Sequence, residues 1–276
     1  MTVSDIVRQG FHYARTCKSL WLFGLFVAMT SGGSNGAGRD TGASDGGGLD
    51  IPGPAIAALV SFVLIAAVAS IVMRLIAEGA LIEGVARARQ GSVMNTGEAF
   101  RAGWTHSGVI VRIALLYFAV TVGSLALLMA PCVIAARAFG LAGGILAGVP
   151  ALVAGVPWLV TLYLVQAFAL RIAVIENRQA LDAIGKARLF LHGRLAHGLR
   201  LIVATFVGSL AFGVAIVVVI AAVVLLLMGL VPVLRMPPVI LIGATVLVPA
   251  VLVLMAMAGT FRSSVWTIGY LSQVDA

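Results

Sequence analysis

Four histidines, ten carboxylates, two cysteines and a glycine-rich stretch are the residues from which this 276-residue chain could build a reactive site. A metal or tetrapyrrole site needs a histidine held in a defined pocket with its second ring nitrogen oriented. His12, His106, His192 and His197 offer no such arrangement. They belong to no His-Glu-x-x-His run and to no Cys/His cluster, and His192 and His197 stand about 140° apart on a helix. Neither a serine-nucleophile elbow, with a strand feeding a helix through the turn, nor a Walker sequence occurs. No catalytic residue, cofactor or metal is expected, and the chain reads as a non-enzyme.

The glycine-rich segment 31–50 lacks the Gly-Lys-Ser/Thr ending of a phosphate loop, and Asp40, Asp45 and Asp50 miss the EF-hand spacing. It reads as a flexible external linker. Glu78, Glu83, Glu98, Glu176 and Asp182 map to helix ends on one side of a membrane, and Asp5 and Asp275 lie near the termini. No carboxylate is expected at a bilayer midplane. Ion-coupled transporters keep ionisable groups there, so coupled transport is disfavoured. Arg74 with Glu78, Glu83 with Arg87, and Arg171 with Glu176 are spaced for ion pairs at helix ends.

The elements that must position these groups are set by composition. The chain is 61% apolar and 10% charged, with mean hydropathy +1.12, against about 25% charged residues in a soluble domain. It therefore reads as all-α integral membrane protein. Apolar runs long enough for about 30 Å of hydrocarbon fall at 17–30, 54–77, 109–130, 148–172, 200–231 and 239–261. Six transmembrane helices follow, as three hairpins in a single polytopic domain, 1–276. Gly140, Gly144 and Gly148 recur at a spacing that lets helix backbones approach closely. Cys17 and Cys132 fall on opposite sides, which excludes a disulfide between them.

Of the eighteen Lys and Arg residues, all but Arg39, Arg137 and Arg235 collect on one side. By the positive-inside rule that side is cytoplasmic and holds both termini. This explains the net charge of +8 without nucleic acid. The start of the chain resembles a secretory leader, but its first eighteen residues belong to a repeated unit, so the first span is expected to be retained.

That unit is seen by comparing DIVRQGFHYARTCKSLW from Asp5, EAFRAGWTHSGVIVR from Glu98 and DAIGKARLFLHGRLAHGLR from Asp182. Each opens on an acid, where the helix dipole favours it, and continues as a half-apolar, half-basic helix into a span. Thr96 is placed to cap the middle helix. The pseudo-repeats cover approximately 3–90, 96–178 and 180–270, each hairpin preceded by a cytoplasmic amphipathic helix. Such helices are expected in the interface plane, apolar side on acyl chains and basic side on anionic headgroups. The terminal FRSSVWTIGYL reads as an interfacial aromatic anchor.

SLWLFGLF before the glycine-rich loop, GEAFRAGW, ALDAIGKARLFLHGRL and FRSSVWTIGYL together resemble poorly characterised bacterial six-span proteins and the membrane domain of some glycerophosphodiester phosphodiesterases. The resemblance implies a bacterial inner-membrane location and no established reaction, since the soluble barrel of the fused relatives is absent. The expected role is a scaffold or accessory subunit that meets membrane lipids, above all anionic ones, or a partner membrane protein. Arg8, Arg15, Lys18, Arg74, Arg101, Arg171, Lys186, Arg188, Arg194, Arg262 and Trp266 are the candidate contacts. A lipid or small-molecule permease component is the alternative.

Overall fold

The computed structural model describes residues 2–32, 53–92, 94–234 and 236–274. The glycine-rich loop from residue 33, with Arg39 and its three aspartates, and Arg235 and Asp275 lie outside them. The described residues are 94% helical, and no strand occurs among them. Seven helices are described: α1 (Val3–Thr16), α2 (Trp21–Gly32), α3 (Gly53–Arg89), α4 (Thr96–Ile175), α5 (Ala180–Leu191), α6 (Leu195–Leu234) and α7 (Met236–Val274).

Local chemistry explains their ends. The Thr2 side chain accepts from the Asp5 amide, and the Asp5 carboxylate accepts from the Thr2 amide at 3.1 Å, a reciprocal capping box that starts α1. A 3-10 turn, Lys18–Leu20, separates α1 from α2, and the Trp21 indole donates back across it to the Ala14 carbonyl at 2.7 Å. The middle helix is capped one residue earlier than Thr96. Asn95 accepts from the Thr96 amide at 2.7 Å, while its own amide donates to Glu98 at 3.2 Å. Asp5, Glu98 and Asp182 each occupy the third position of their helix, within the first turn where the dipole stabilises a carboxylate.

The second amphipathic segment is not a separate helix. It forms the opening turns of α4, which runs through 80 residues with one interruption, Gly140 at φ 71° and ψ −166°. That backbone state is open to glycine and strained for other residues. The chain reverses there. A Cβ on Gly144 would lie 2.9 Å from the Ala136 Cβ, one on Gly155 would lie 3.1 Å from Leu128, and the Trp158 indole donates to Ser124 at 3.1 Å. Partners move down one stretch as they move up the other. Gly148, the third member of the glycine series, has nothing within 4 Å of its Cβ position.

Among the described residues, four helical stretches are long and apolar enough to cross a membrane: Val60–Arg89, Thr96–Ile175, Leu195–Gly229 and Gly243–Val274, with a shorter apolar stretch at Lys18–Met29. These define the class: an all-helical, multi-pass membrane protein. Val60, Phe62, Leu64 and Ile65 in α3 and Val203, Phe206 and Leu210 in α6 are all exposed. In a bilayer such side chains face acyl chains at no cost.

The chain divides into two compact units, 1–104 with 203–268, and 105–202 with 269–276. In the first unit, α1 buries Ile6, Gly10 and Ala14, and Cys17 just past its end is buried too. A Cβ on Gly10 would lie 2.9 Å from Val265 of α7. The apolar face of this amphipathic helix is therefore covered by protein, which corrects the expectation that it rests on acyl chains. α2 crosses α7 backbone to backbone: a Cβ on Gly24 would lie 2.3 Å from the Ala256 carbonyl, and one on Gly259 would lie 2.0 Å from the Gly24 carbonyl. In the second unit α5 likewise buries Ala183, Ile184, Ala187 and Leu191, whereas Leu181 and Leu189 on its other side are exposed.

Candidate functional site

The candidate contact residues divide by burial. Arg8, Arg15, Lys18, Arg74 and Arg101 of the first unit are exposed, and Arg262 is half-buried. Lys186, Arg188 and Arg194 of the second are exposed. Arg171 and Trp266 are not surface residues: they are 5% and 2% exposed. The Arg171 guanidinium turns back onto its own helix and donates to the Ala167 carbonyl.

Trp266 lies in a stretch of α7 that is buried almost throughout, from Gly259 to Tyr270, with Arg262 half-exposed. The interfacial-anchor reading of FRSSVWTIGYL is corrected here. The hydroxyls of Thr260, Ser264 and Thr267 donate to carbonyls four residues back, Ala256 at 2.9 Å, Thr260 at 2.8 Å and Ser263 at 2.9 Å. Their polar capacity is spent inside the helix, so a sequence that looks half-polar can be buried on every side.

The densest polar assembly lies in the second unit, at the turn between α4 and α5. Asn177 takes a left-handed φ of 51° and reverses the chain. Glu176, beside it, accepts from the Tyr270 phenol at 2.6 Å, from Lys186 at 2.6 and 2.8 Å, and from Arg178 at 3.0 Å. Partial burial pushes the Glu176 pKa upward, but the hydrogen bonds from Lys186, Tyr270 and Arg178 outweigh it and hold the carboxyl below its usual range. Phe168 and Phe190 pack on the Tyr270 ring, with centroids 6.4 and 5.4 Å away, and the Arg194 guanidinium lies 5.3 Å from the Phe190 centroid. Sequence spacing pairs Glu176 with Arg171; the structure pairs it with Tyr270, Lys186 and Arg178 instead.

The spacing of Glu83 and Arg87 does give an ion pair, at 2.9 Å on one face of α3. That pair is half in solvent and contributes less than about 1 kcal/mol. Both cysteines are free. No group of three or more His, Cys, Asp or Glu side chains suited to a metal ion occurs among the described residues.

A polar cleft of about 690 Å³ opens in the first unit, lined by Asp5, Arg8, Gln9, His12 and Tyr13 of α1 and by Arg89, the last residue of α3. Of these only Arg8 is among the sequence candidates. The positions 5, 8, 9, 12 and 13 do form one helical face, beside the buried Ile6–Gly10–Ala14 face, and that spacing is the signal that marks it.

These sites belong to a multi-pass helical membrane protein whose cations ride on helices packed against its core. Comparison with known proteins takes the assignment no further: no protein family matches the chain, no curated protein matches it in sequence, and no solved structure matches it in fold.

Proposed function

We propose that the chain is a six-span, non-enzymatic scaffold or accessory subunit of a bacterial inner membrane, with both termini cytoplasmic, that engages anionic lipid or a partner membrane complex through its basic interfacial helices. The observation that carries this reading is the exposure of Arg8, Arg15, Lys186 and Arg188 on short helices whose other faces are buried in protein, with Lys18 and Arg194 exposed in the turns that follow them. A cation on a pinned helix keeps its place without further ordering, so it acts as a fixed point of attraction for a negative surface. The likeness of the helix-end motifs to the membrane domain of glycerophosphodiester phosphodiesterases is proposed for the membrane region alone, without phosphodiesterase chemistry.

Two features support six spans and three repeats. α4 breaks at Gly140 into two stretches, each longer than the roughly 20 residues a crossing needs. The three amphipathic segments also share a burial register. Ile6, Ala99 and Ala183, one residue after the acid, are fully buried, and the small residues five after it, Gly10, Gly103 and Ala187, are buried in turn.

Topology is tested with single cysteines placed at exposed turns and probed with a membrane-impermeant maleimide in sealed and inverted vesicles. Phe139→Cys is expected to react from the periplasmic side, and Gln90→Cys and Asn177→Cys from the cytoplasmic side. Reaction of all three from one side refutes the six-span arrangement.

The lipid reading is tested by titrating the purified protein with phosphatidylglycerol and counting bound lipid by native mass spectrometry. Charged residues at an anionic surface contribute about 1 kcal/mol each, so Arg188→Gln with Arg194→Gln is expected to weaken association about tenfold or more. Unchanged association in that variant removes these cations from the proposed lipid surface.

A further inference from the structure

α5 has two apolar faces, and only one of them is covered. Ala183, Ile184, Ala187 and Leu191 recur at helical spacing and are buried in the second unit. Leu181 and Leu189 project from the other side and are 71% and 78% exposed. Gly185 stands between them at the same four-residue spacing, and nothing lies within 4 Å of its Cβ position. The three positions form an open ridge about 12 Å long, two turns at a rise of 1.5 Å per residue. A lone exposed leucine needs no cover, but two aligned on a helix that is held from behind make an apolar strip.

The polar groups border this ridge. By helical position Arg188 flanks it on one edge, and Asp182 with Lys186 on the other. Lys186 is engaged by Glu176 at 2.6 Å. Arg188 is exposed, and so is Arg194 in the turn that follows, its guanidinium 5.3 Å from the Phe190 ring. Two arginines therefore stand beside two outward leucines.

The connection to α6 sets the level at which the ridge lies. α5 reaches α6 through His192, Gly193 and Arg194 alone. These residues close a turn: the His192 amide donates to the Arg188 carbonyl at 3.0 Å, the Arg194 amide donates to that of Leu191 at 3.0 Å, and Gly193 takes a φ of 83°. Even fully extended, three residues span at most about 11 Å. Leu195, next in the chain, opens the apolar stretch Leu195–Gly229 that is long enough to cross a membrane, and Leu195 and Leu199 are themselves about half exposed. A lipid-facing surface thus starts one short turn beyond Leu189. Continuity with that surface favours the bilayer as the cover of the ridge, and the flanking arginines match the negative charge of its headgroups.

We propose that α5 is a membrane-surface anchor: Leu181, Gly185 and Leu189 settle at the boundary between headgroups and acyl chains, and Arg188 and Arg194 meet anionic headgroups beside them. The inference rests on the anionic-lipid part of the proposed function and deepens it, adding an apolar contact to the cations.

The test uses the full chain in vesicles of phosphatidylethanolamine and phosphatidylglycerol. Cys17→Ala with Cys132→Ala is the background, and a nitroxide spin label is attached to Leu181→Cys or to Leu189→Cys. Both leucines are exposed, so each labelled protein is expected to keep the wild-type fold, which thermal unfolding checks. Power-saturation electron paramagnetic resonance compares collisions with oxygen, which concentrates in lipid, against collisions with a water-soluble nickel chelate. Oxygen collisions are expected to exceed nickel collisions at both sites, the reverse of a label in water. Nickel in excess at either site puts the ridge in water and overturns the anchor. Shielding from both reagents puts protein over the ridge, a partner or a second copy, and overturns it as well.

The phosphatidylglycerol titration of the Arg188→Gln with Arg194→Gln protein separates this inference from the reading beneath it. Weakened association there with labels in water removes the anchor and leaves the basic surface standing. Unchanged association with inserted labels keeps the apolar anchor and removes its cations. Unchanged association with labels in water overturns both.

Discussion

Gly259→Ala is expected to cost more than the about 1–3 kcal/mol usual for overpacking a core, although it adds a single methyl group to a helix. The added Cβ would sit 2.0 Å from the Gly24 carbonyl oxygen and 2.7 Å from its carbonyl carbon. Both are backbone atoms of the facing helix, so no side-chain rotation relieves the contact and α2 must move away from α7. Gly24→Ala meets the Ala256 carbonyl and the Thr260 hydroxyl at 2.3 Å each and should be comparably severe. Small residues earn such places because they let helix backbones touch, which is how membrane helices gain dispersion energy against a solvent as apolar as themselves. Gly97, Gly108 and Gly213 provide the contrast, since nothing lies within 4 Å of their Cβ positions. Alanine at Gly108 or Gly213 is expected to be neutral or to stabilise by up to about 1 kcal/mol through helix propensity. Unfolding in a denaturing detergent, followed by tryptophan fluorescence, reads the whole set. A Gly259→Ala protein as stable as wild type would show that the two helices do not cross there.

Hydropathy marks which residues avoid water, and in a membrane protein that leaves two possible covers. The face Ile6–Gly10–Ala14–Cys17 is legible from its spacing; that Val265 covers it and acyl chains do not is invisible, because lipid and protein interior are equally apolar. The same limit separates Arg74 from Arg171. Both sit at one end of an apolar run, yet one is exposed and the other buried. FRSSVWTIGYL misleads for a different reason: a scale scores its hydroxyls as polar whether or not their own helix satisfies them. The all-helical membrane class, by contrast, follows from composition and run length, which no tertiary detail can reverse. The cap at Asn95 in place of Thr96 is a one-residue ambiguity between two good capping residues. The Glu176–Tyr270 bond joins residues 94 apart in sequence, and no local spacing encodes it.

That bond is the second place where one substitution should have a large effect. Tyr270 is 1% exposed, and its phenol donates to Glu176 Oε1 at 2.6 Å. A hydrogen bond to a charged group contributes about 1.5–3 kcal/mol, and Tyr270→Phe keeps the ring packed on Phe168 and Phe190 while removing only the hydroxyl. Its loss of stability at neutral pH should fall in that range. Glu176→Gln removes the charge that Lys186 and Arg178 also use, and because Lys186 is about half exposed its share is reduced by solvent screening. The two substitutions should not add: once Glu176 is neutral, the phenol has less to lose, and the double variant is expected to fall short of the sum. The pH dependence has a definite sign. The folded Glu176 pKa lies below its ordinary value of 4.5, so the unfolded chain binds the proton more readily. The stabilisation is then complete above about pH 4.5 and declines as pH falls through the lower folded value. Wild type should lose unfolding stability in that acid window, and Glu176→Gln, with no carboxyl to protonate at this position, should lose less. Parallel pH profiles for the two proteins would mean that Glu176 is not held as a carboxylate by Tyr270, Lys186 and Arg178. The fixed turn between α4 and α5, which orients the exposed Arg188, would then need another source of rigidity.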